Sequence, residues 1–284
     1  MKKLTKVFLI LVTVFISFFN FIALASAAEF EGQTVKIGVV GEEYEELWEF
    51  VAERAKEQEG IDIEVVLLTD YNIPNVALAD GSIDLNAFQH DVFLENWNKE
   101  NDGDLVTIGY TVAVPTRIYS DKYKSLDELP EGAKIAVNAA PTSLGYNLQS
   151  LERAGLIKLA ESDELLPTLN DIEENPKKLE IVELDAANIP AAVSDVDAAF
   201  IDDSFLASTD FRPNDAIYVY GDTPETINLS RVNNIVARSE DKDNPLYLKI
   251  VELFQTDEVA QEIDRIFEGG SIAAWDLVEQ AEKE

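Results

Sequence analysis

The sequence predicts an α/β protein in two lobes, each a mostly parallel sheet flanked by helices, the lobes joined by two crossing strands. Three observations carry this. The chain has 284 residues, room for two domains at roughly 100–200 residues each. Short runs of Val, Ile and Leu alternate with helix-period segments, as in parallel sheets with helical crossovers. The alternation also occurs twice. Ile63–Leu68 leads through Asn72-Ile73-Pro74 to a helical stretch at Val76–Ala79, then Asp80-Gly81, then apolar Ile83–Phe88. Leu179–Leu184 leads to Asn188-Ile189-Pro190 at the same spacing, and Ala191–Val193, Asp195 and apolar Val196–Ile201 follow. Upstream, Lys36-Ile37-Gly38-Val39 and Lys134-Ile135-Ala136-Val137 each precede a helix, one with Glu53-Arg54-Ala55 and the other with Glu152-Arg153-Ala154. Such self-similarity marks two copies of one supersecondary unit.

In chain order, Lys2, Lys3 and Lys6 form a basic start. The apolar run Val7–Leu24 and Ala25-Ser26-Ala27-Ala28 complete a signal-peptide pattern over residues 1–27. The alternative is an uncleaved anchor, since the run approaches membrane-spanning length. Leu47, Trp48, Val51 and Ala55 recur at helical spacing within 46–57, and Gly60 ends that element. Pro74 and Pro190 suit a first helical turn, where a missing N–H costs nothing. Residues 105–119 form a long extended run containing Pro115, which reads as the first crossing. Asn234-Ile235-Val236-Ala237 reads as the return. Lobe 1 is then 28–115 plus 238–284, and lobe 2 is 116–237. Helical patterns at Pro245–Phe254, Glu258–Phe267 and Ala273–Ala281 close the chain.

Composition removes several function classes. With 22 Lys and Arg against 55 Asp and Glu, the net charge is −33, which excludes binding by phosphate neutralisation and hence nucleic acid. There is no Cys and one His, His90, so thiolate chemistry is absent and neither a metal centre nor a cofactor is expected. No nucleophile-elbow, phosphate-loop or dinucleotide fingerprint occurs. Nothing argues for an enzyme. A small-molecule binding protein fits better.

Ligands of open α/β sheets sit beyond the carboxyl ends of the strands, and between lobes that region becomes a cleft. Tyr71, Phe88, His90 and Phe93 would form an aromatic wall there. Asp202 follows a strand of the second lobe, and Arg117, Arg231 and Asn233 lie on the crossings. Each has a plainer reading: His90 as a structural histidine, Phe88 and Phe93 as core, Asp202-Asp203 as a charge pair at a helix start.

Tyr71…Pro74-Asn75…Asn86-Ala87-Phe88-Gln89-His90, Lys124-Ser125-Leu126-Asp127-Glu128-Leu129-Pro130 and Phe267-Glu268-Gly269-Gly270…Trp275 carry a resemblance. Together they resemble the NlpA/MetQ family, methionine-binding lipoproteins of ABC importers, over essentially the whole chain after the signal segment. The resemblance implies a periplasmic-binding-protein fold and a solute-binding role. It implies an ABC permease with a cytoplasmic ATPase as partner, and ligand contacts at Tyr71, Phe88, His90, Phe93 and Asn233.

This chain departs from the family pattern at four points, the mildest being Phe93, which stands where a Tyr is common. The family's lipidated Cys is absent, implying an exported protein without a lipid anchor, periplasmic or secreted; a monomer is expected. Tyr146 stands where the family's carboxylate-gripping Arg belongs, and Asp202 where an Asn is usual. A buried carboxylate without a cation is costly, so these exchanges point away from plain methionine. They favour an amine-bearing or carboxylate-masked ligand, unless Arg117 or Arg231 relocates the clamp. The alternative role is a secreted sensing or adhesion module uncoupled from transport.

Overall fold

The structure, a computed structural model, describes residues 29–161, 166–223 and 226–282. The signal-peptide segment, 1–27, lies outside them. Thirteen strands are described: β1 (Thr34–Val40), β2 (Asp62–Leu68), β3 (Leu85–His90), β4 (Val106–Ala113), β5 (Thr116–Tyr119), β6 (Lys134–Asn138), β7 (Lys158–Leu159), β8 (Ile172–Glu174), β9 (Glu180–Leu184), β10 (Ala198–Phe200), β11 (Tyr218–Tyr220), β12 (Val232–Ala237) and β13 (Ile272–Ala273). The α-helices are α1 (Glu42–Glu59), α2 (Ile73–Ala79), α3 (Asp91–Asn101), α4 (Pro141–Arg153), α5 (Ile189–Ala192), α6 (Asp203–Leu206), α7 (Pro245–Phe254), α8 (Asp257–Phe267) and α9 (Trp275–Glu282).

The duplication has a direct structural counterpart. β1 pairs in parallel with both β2 and β3, and β6 pairs in parallel with both β9 and β10. Each lobe thus holds the same three-strand unit, third strand–first–second. Pro74 and Pro190 sit in the first turns of α2 and α5. The first sheet extends the unit to the order β13-β4-β12-β3-β1-β2, and the second to β11-β5-β10-β6-β9. In the first sheet β12 and the edge strand β13 run against their neighbours, and in the second β5 does; β5 and β12 are the strands that follow the two crossings.

The helix read over 46–57 is the middle of α1. It buries Leu47, Trp48, Val51 and Ala55, as spaced, and Gly60 ends it at φ 71°. Trp48 packs on Phe254 of α7, ring centroids 4.8 Å apart, and this layer forms the main core of the first lobe. In the second lobe α4 lays Leu144, Leu148 and Leu151 onto Ile135 and Val137 of β6.

The first crossing lies at Val114-Pro115, between β4 and β5. The return differs from the sequence reading. Residues 232–237, assigned to lobe 2, form β12 and pair with β3 and β4 of the first sheet. The return therefore runs through the 3₁₀ turn Leu229–Arg231. A central strand covered on both faces and a crossing segment are both short apolar runs, so pattern alone does not separate them.

A candidate ligand site between the lobes

β3 ends at His90, which caps α3: its Nδ1 accepts the Phe93 N–H at 3.2 Å. A neutral ring accepting there carries its proton on Nε2. Burial first, and the Arg231 charge second, push the His90 pKa down to about 3. The ring is therefore neutral at ordinary pH, with its one N–H on Nε2. Behind it lies an amide network that sequence reading missed. Asn75 of α2 exchanges two hydrogen bonds with Gln89, at 2.8 and 2.6 Å, and accepts a third from Asn86 at 2.9 Å. All three amides are fully buried. Satisfied buried networks lock a local arrangement, and this one fixes α2 against the end of β3.

The two lobes face each other across a cleft, the kind of place where small-molecule sites form. Tyr71, Phe88, His90 and Phe93 line it together. The Phe88 and Phe93 rings stand edge to face at 5.7 Å, and the Tyr71 ring packs against that of Phe205 of α6, centroids 5.2 Å apart. Asp202, Arg231 and Asn233 supply the polar part of the wall. Asn233 pairs with His90 in the β12–β3 ladder, so the ladder sets both residues at one end of the cleft. Tyr44, Asp203 and Ser204 also line it. For Tyr44, within a helix of core spacing, the sequence offered no signal.

Asp202 precedes α6 without capping it. Its carboxylate accepts from Asn138 Nδ2 at 3.1 Å. Burial raises its pKa, partly opposed by the Arg231 charge and the Asn138 bond. Arg231 is partly buried. One of its nitrogens donates to the Thr116 hydroxyl, and its guanidinium lies 4.6 Å from the centre of the Tyr146 ring. Tyr146 stands one layer behind the wall, 5.6 Å from the His90 ring, and its hydroxyl shares a hydrogen bond with Ser230 at 3.3 Å.

The structure puts Arg117 elsewhere. Its Nη1 and Nη2 donate to the Gly270 and Gly269 carbonyls at 2.7 Å each, and Nη1 lies 3.5 Å from Asp203 Oδ1. It ties β5 to the loop before β13 and does not line the cleft. Sequence reading placed it in the ligand wall because a strand arginine carries no mark of its partner. Among the described residues, no group of three or more His, Asp or Glu is arranged to hold a metal ion. No described helix is long and apolar enough to cross a membrane.

Known proteins resemble this chain over most of its length. The family described as NlpA lipoprotein matches residues 35–275. The probable D-methionine-binding lipoprotein MetQ of Vibrio cholerae is 42% identical over 246 residues, 86% of this chain and 90% of that protein. A nutrient-binding protein from Burkholderia cenocepacia bound to methionine has a TM-score of 0.80 at 38% identity, covering 84% of this chain and 99% of that one. The substrate-binding protein of a methionine transporter from Streptococcus pneumoniae has a TM-score of 0.79 at 36% identity, covering 85% and 96%.

Proposed function

The chain belongs to the NlpA lipoprotein family, and from that premise we propose that it is an extracytoplasmic solute-binding protein of an ABC importer. It closes two lobes over a small amino-acid-like ligand and hands it to a permease with a cytoplasmic ATPase. The observation that carries this is the interlobe cleft itself, with four aromatic rings on one side and Asp202, Arg231 and Asn233 as its polar part. Rings of that kind suit an apolar side chain, and the relatives named for methionine point to the same chemistry. The role is binding rather than catalysis, and the protein acts as a monomer. With no Cys in the sequence, it works in the periplasm or outside the cell without a thioether-linked lipid.

Tyr146, read alone, favoured a ligand whose carboxylate is missing or masked. The cleft is not without a cation, however, because Arg231 lines it. That weakens the case against a free amino acid. Native mass spectrometry of the purified protein should find a co-purified small amino acid or derivative, and calorimetry should then rank methionine, its amide and dipeptides. Folded protein that binds none of them would overturn the proposal. Uptake unchanged by deleting the gene would favour the sensing or adhesion role.

A further inference from the structure

We propose that Arg231 is the carboxylate clamp of this site and that Asp202 receives the ammonium group, so that the cleft selects a free, zwitterionic α-amino acid. This rests on the solute-binding reading above and adds the chemistry by which the ligand is chosen. Arg231 comes from the return crossing, whereas the position at which the family resemblance places the clamp, 146 on α4, holds a tyrosine.

Four observations converge. First, the guanidinium is held but not satisfied. One face lies on the Tyr146 ring at 4.6 Å, one nitrogen is bonded to the Thr116 hydroxyl, and Nε is buried with no partner among the described residues. A planar guanidinium fixed by stacking, with donors to spare, is arranged to meet a carboxylate. Second, the other candidate is occupied at its ends: both terminal nitrogens of Arg117 are bonded to Gly269, Gly270 and Asp203, and it lies outside the cleft, although its Nε, like that of Arg231, has no partner among the described residues. Third, Asp202 and Arg231 line the same cleft, yet the hydrogen-bond partner of each is neutral, the Asn138 amide for one and the Thr116 hydroxyl for the other. Charges held against neutral partners in a confined cleft gain most from a ligand that brings an opposite charge to each. A zwitterion does so without adding net charge. Fourth, Tyr146 is the platform: its ring meets Arg231 on one side and His90, edge to face at 5.6 Å, on another. Tyrosine at 146 is thus a positioning residue for the arginine that does its neighbour's usual work.

The test is calorimetry with methionine, methioninamide and N-acetylmethionine on wild type, Arg231→Gln and Asp202→Asn, with folding checked by circular dichroism. Wild type should prefer methionine over methioninamide by at least about tenfold, the scale of one charged hydrogen-bonded contact. Arg231→Gln should erase that preference while keeping amide binding within a few-fold. Asp202→Asn should narrow the gap between methionine and N-acetylmethionine. Adding Tyr146→Arg to Arg231→Gln should restore the acid preference, which a purely structural role for Arg231 would not allow. An acid preference that survives Arg231→Gln, or a wild type that binds the amide as tightly as the acid, overturns the proposal. The wild-type ratio decides by itself if Arg231→Gln does not fold. Folded wild type that binds no amino acid or derivative overturns the solute-binding reading instead.

Discussion

Arg117 Nη1 stands 3.5 Å from Asp203 Oδ1, and both side chains are about 95% buried. The pair lies where the lobes meet: Arg117 also holds the Gly269 and Gly270 carbonyls, and Asp203 accepts from Ser271, which is bonded to Tyr44 of α1. Removing one partner of such a pair leaves the other charge buried and uncompensated, which costs about 3–5 kcal/mol. Arg117→Met should therefore lower the unfolding free energy obtained from denaturant titration by that order, while an exposed pair such as Lys36–Glu64 should matter little when broken. A loss under about 1 kcal/mol for Arg117→Met would show the pair to be dispensable.

Gly41 sits between β1 and α1 at φ 103° and ψ 140°, a region that costs other residues about 1–3 kcal/mol. A Cβ there would also lie 2.7 Å from the Ser204 carbonyl oxygen, across the interlobe contact. Gly41→Ala should weaken ligand binding at least about tenfold, since 1.4 kcal/mol is a factor of ten, and do so by resisting closure. Circular dichroism should show both lobes still folded. Unchanged affinity would mean that Ser204 yields freely.

Much of this was legible because the chain says it twice. The Asn-Ile-Pro repeats, each after a β-branched run, located α2, α5 and the strands around them, and the strand ends then located Tyr71, His90 and Asp202. Residues whose partners lie far along the chain were not legible. Arg117 meets carbonyls more than 150 positions away, and no local pattern encodes that. Asn75 and Gln89 lie in a recognisable block, but their role is a buried bond between a helix and a strand, which alternation does not describe. Tyr146 read as an exchange within its own helix, whereas the arginine stacked on its ring, Arg231, belongs to another element and no local pattern joins the two.

Two buried groups give opposite pH signatures. His90 has its folded pKa depressed to about 3, chiefly by burial. The unfolded chain therefore takes up that proton first, and stability is lost as pH falls from about 6.5 toward 3. Asp203 is raised to about 6, again chiefly by burial, against the lowering effects of Arg117 and Ser271. Its contribution is fully present below the unfolded carboxylate value of about 3.9 and is lost as pH rises through 6. His90→Asn should thus gain on wild type as pH falls through this window, by up to about 1.4 kcal/mol per unit. Asp203→Asn should lose ground on wild type over the same descent. Denaturation midpoints from pH 4 to 7 check both slopes, and parallel curves for either variant would show that its group does not titrate with folding.

The crossings should act as the hinge, and their positions make that testable together with the Arg117 contact. Val114 of the first crossing and Arg231 of the second both line the cleft, so residues that absorb the rotation also meet the ligand. Bound ligand can shift an open–closed equilibrium only by its differential affinity for the two states, and a ligand touching both lobes and both crossings has that difference. Small-angle scattering should show a smaller radius of gyration with saturating methionine than without it. Arg117→Met loosens the contact between β5 and the 269–271 loop, so its ligand-free radius should exceed that of wild type and its compaction on saturation should be greater. Equal radii in all four samples, at concentrations where calorimetry shows saturation, would mean that the lobes are locked and that ligand enters without rotation about Val114-Pro115.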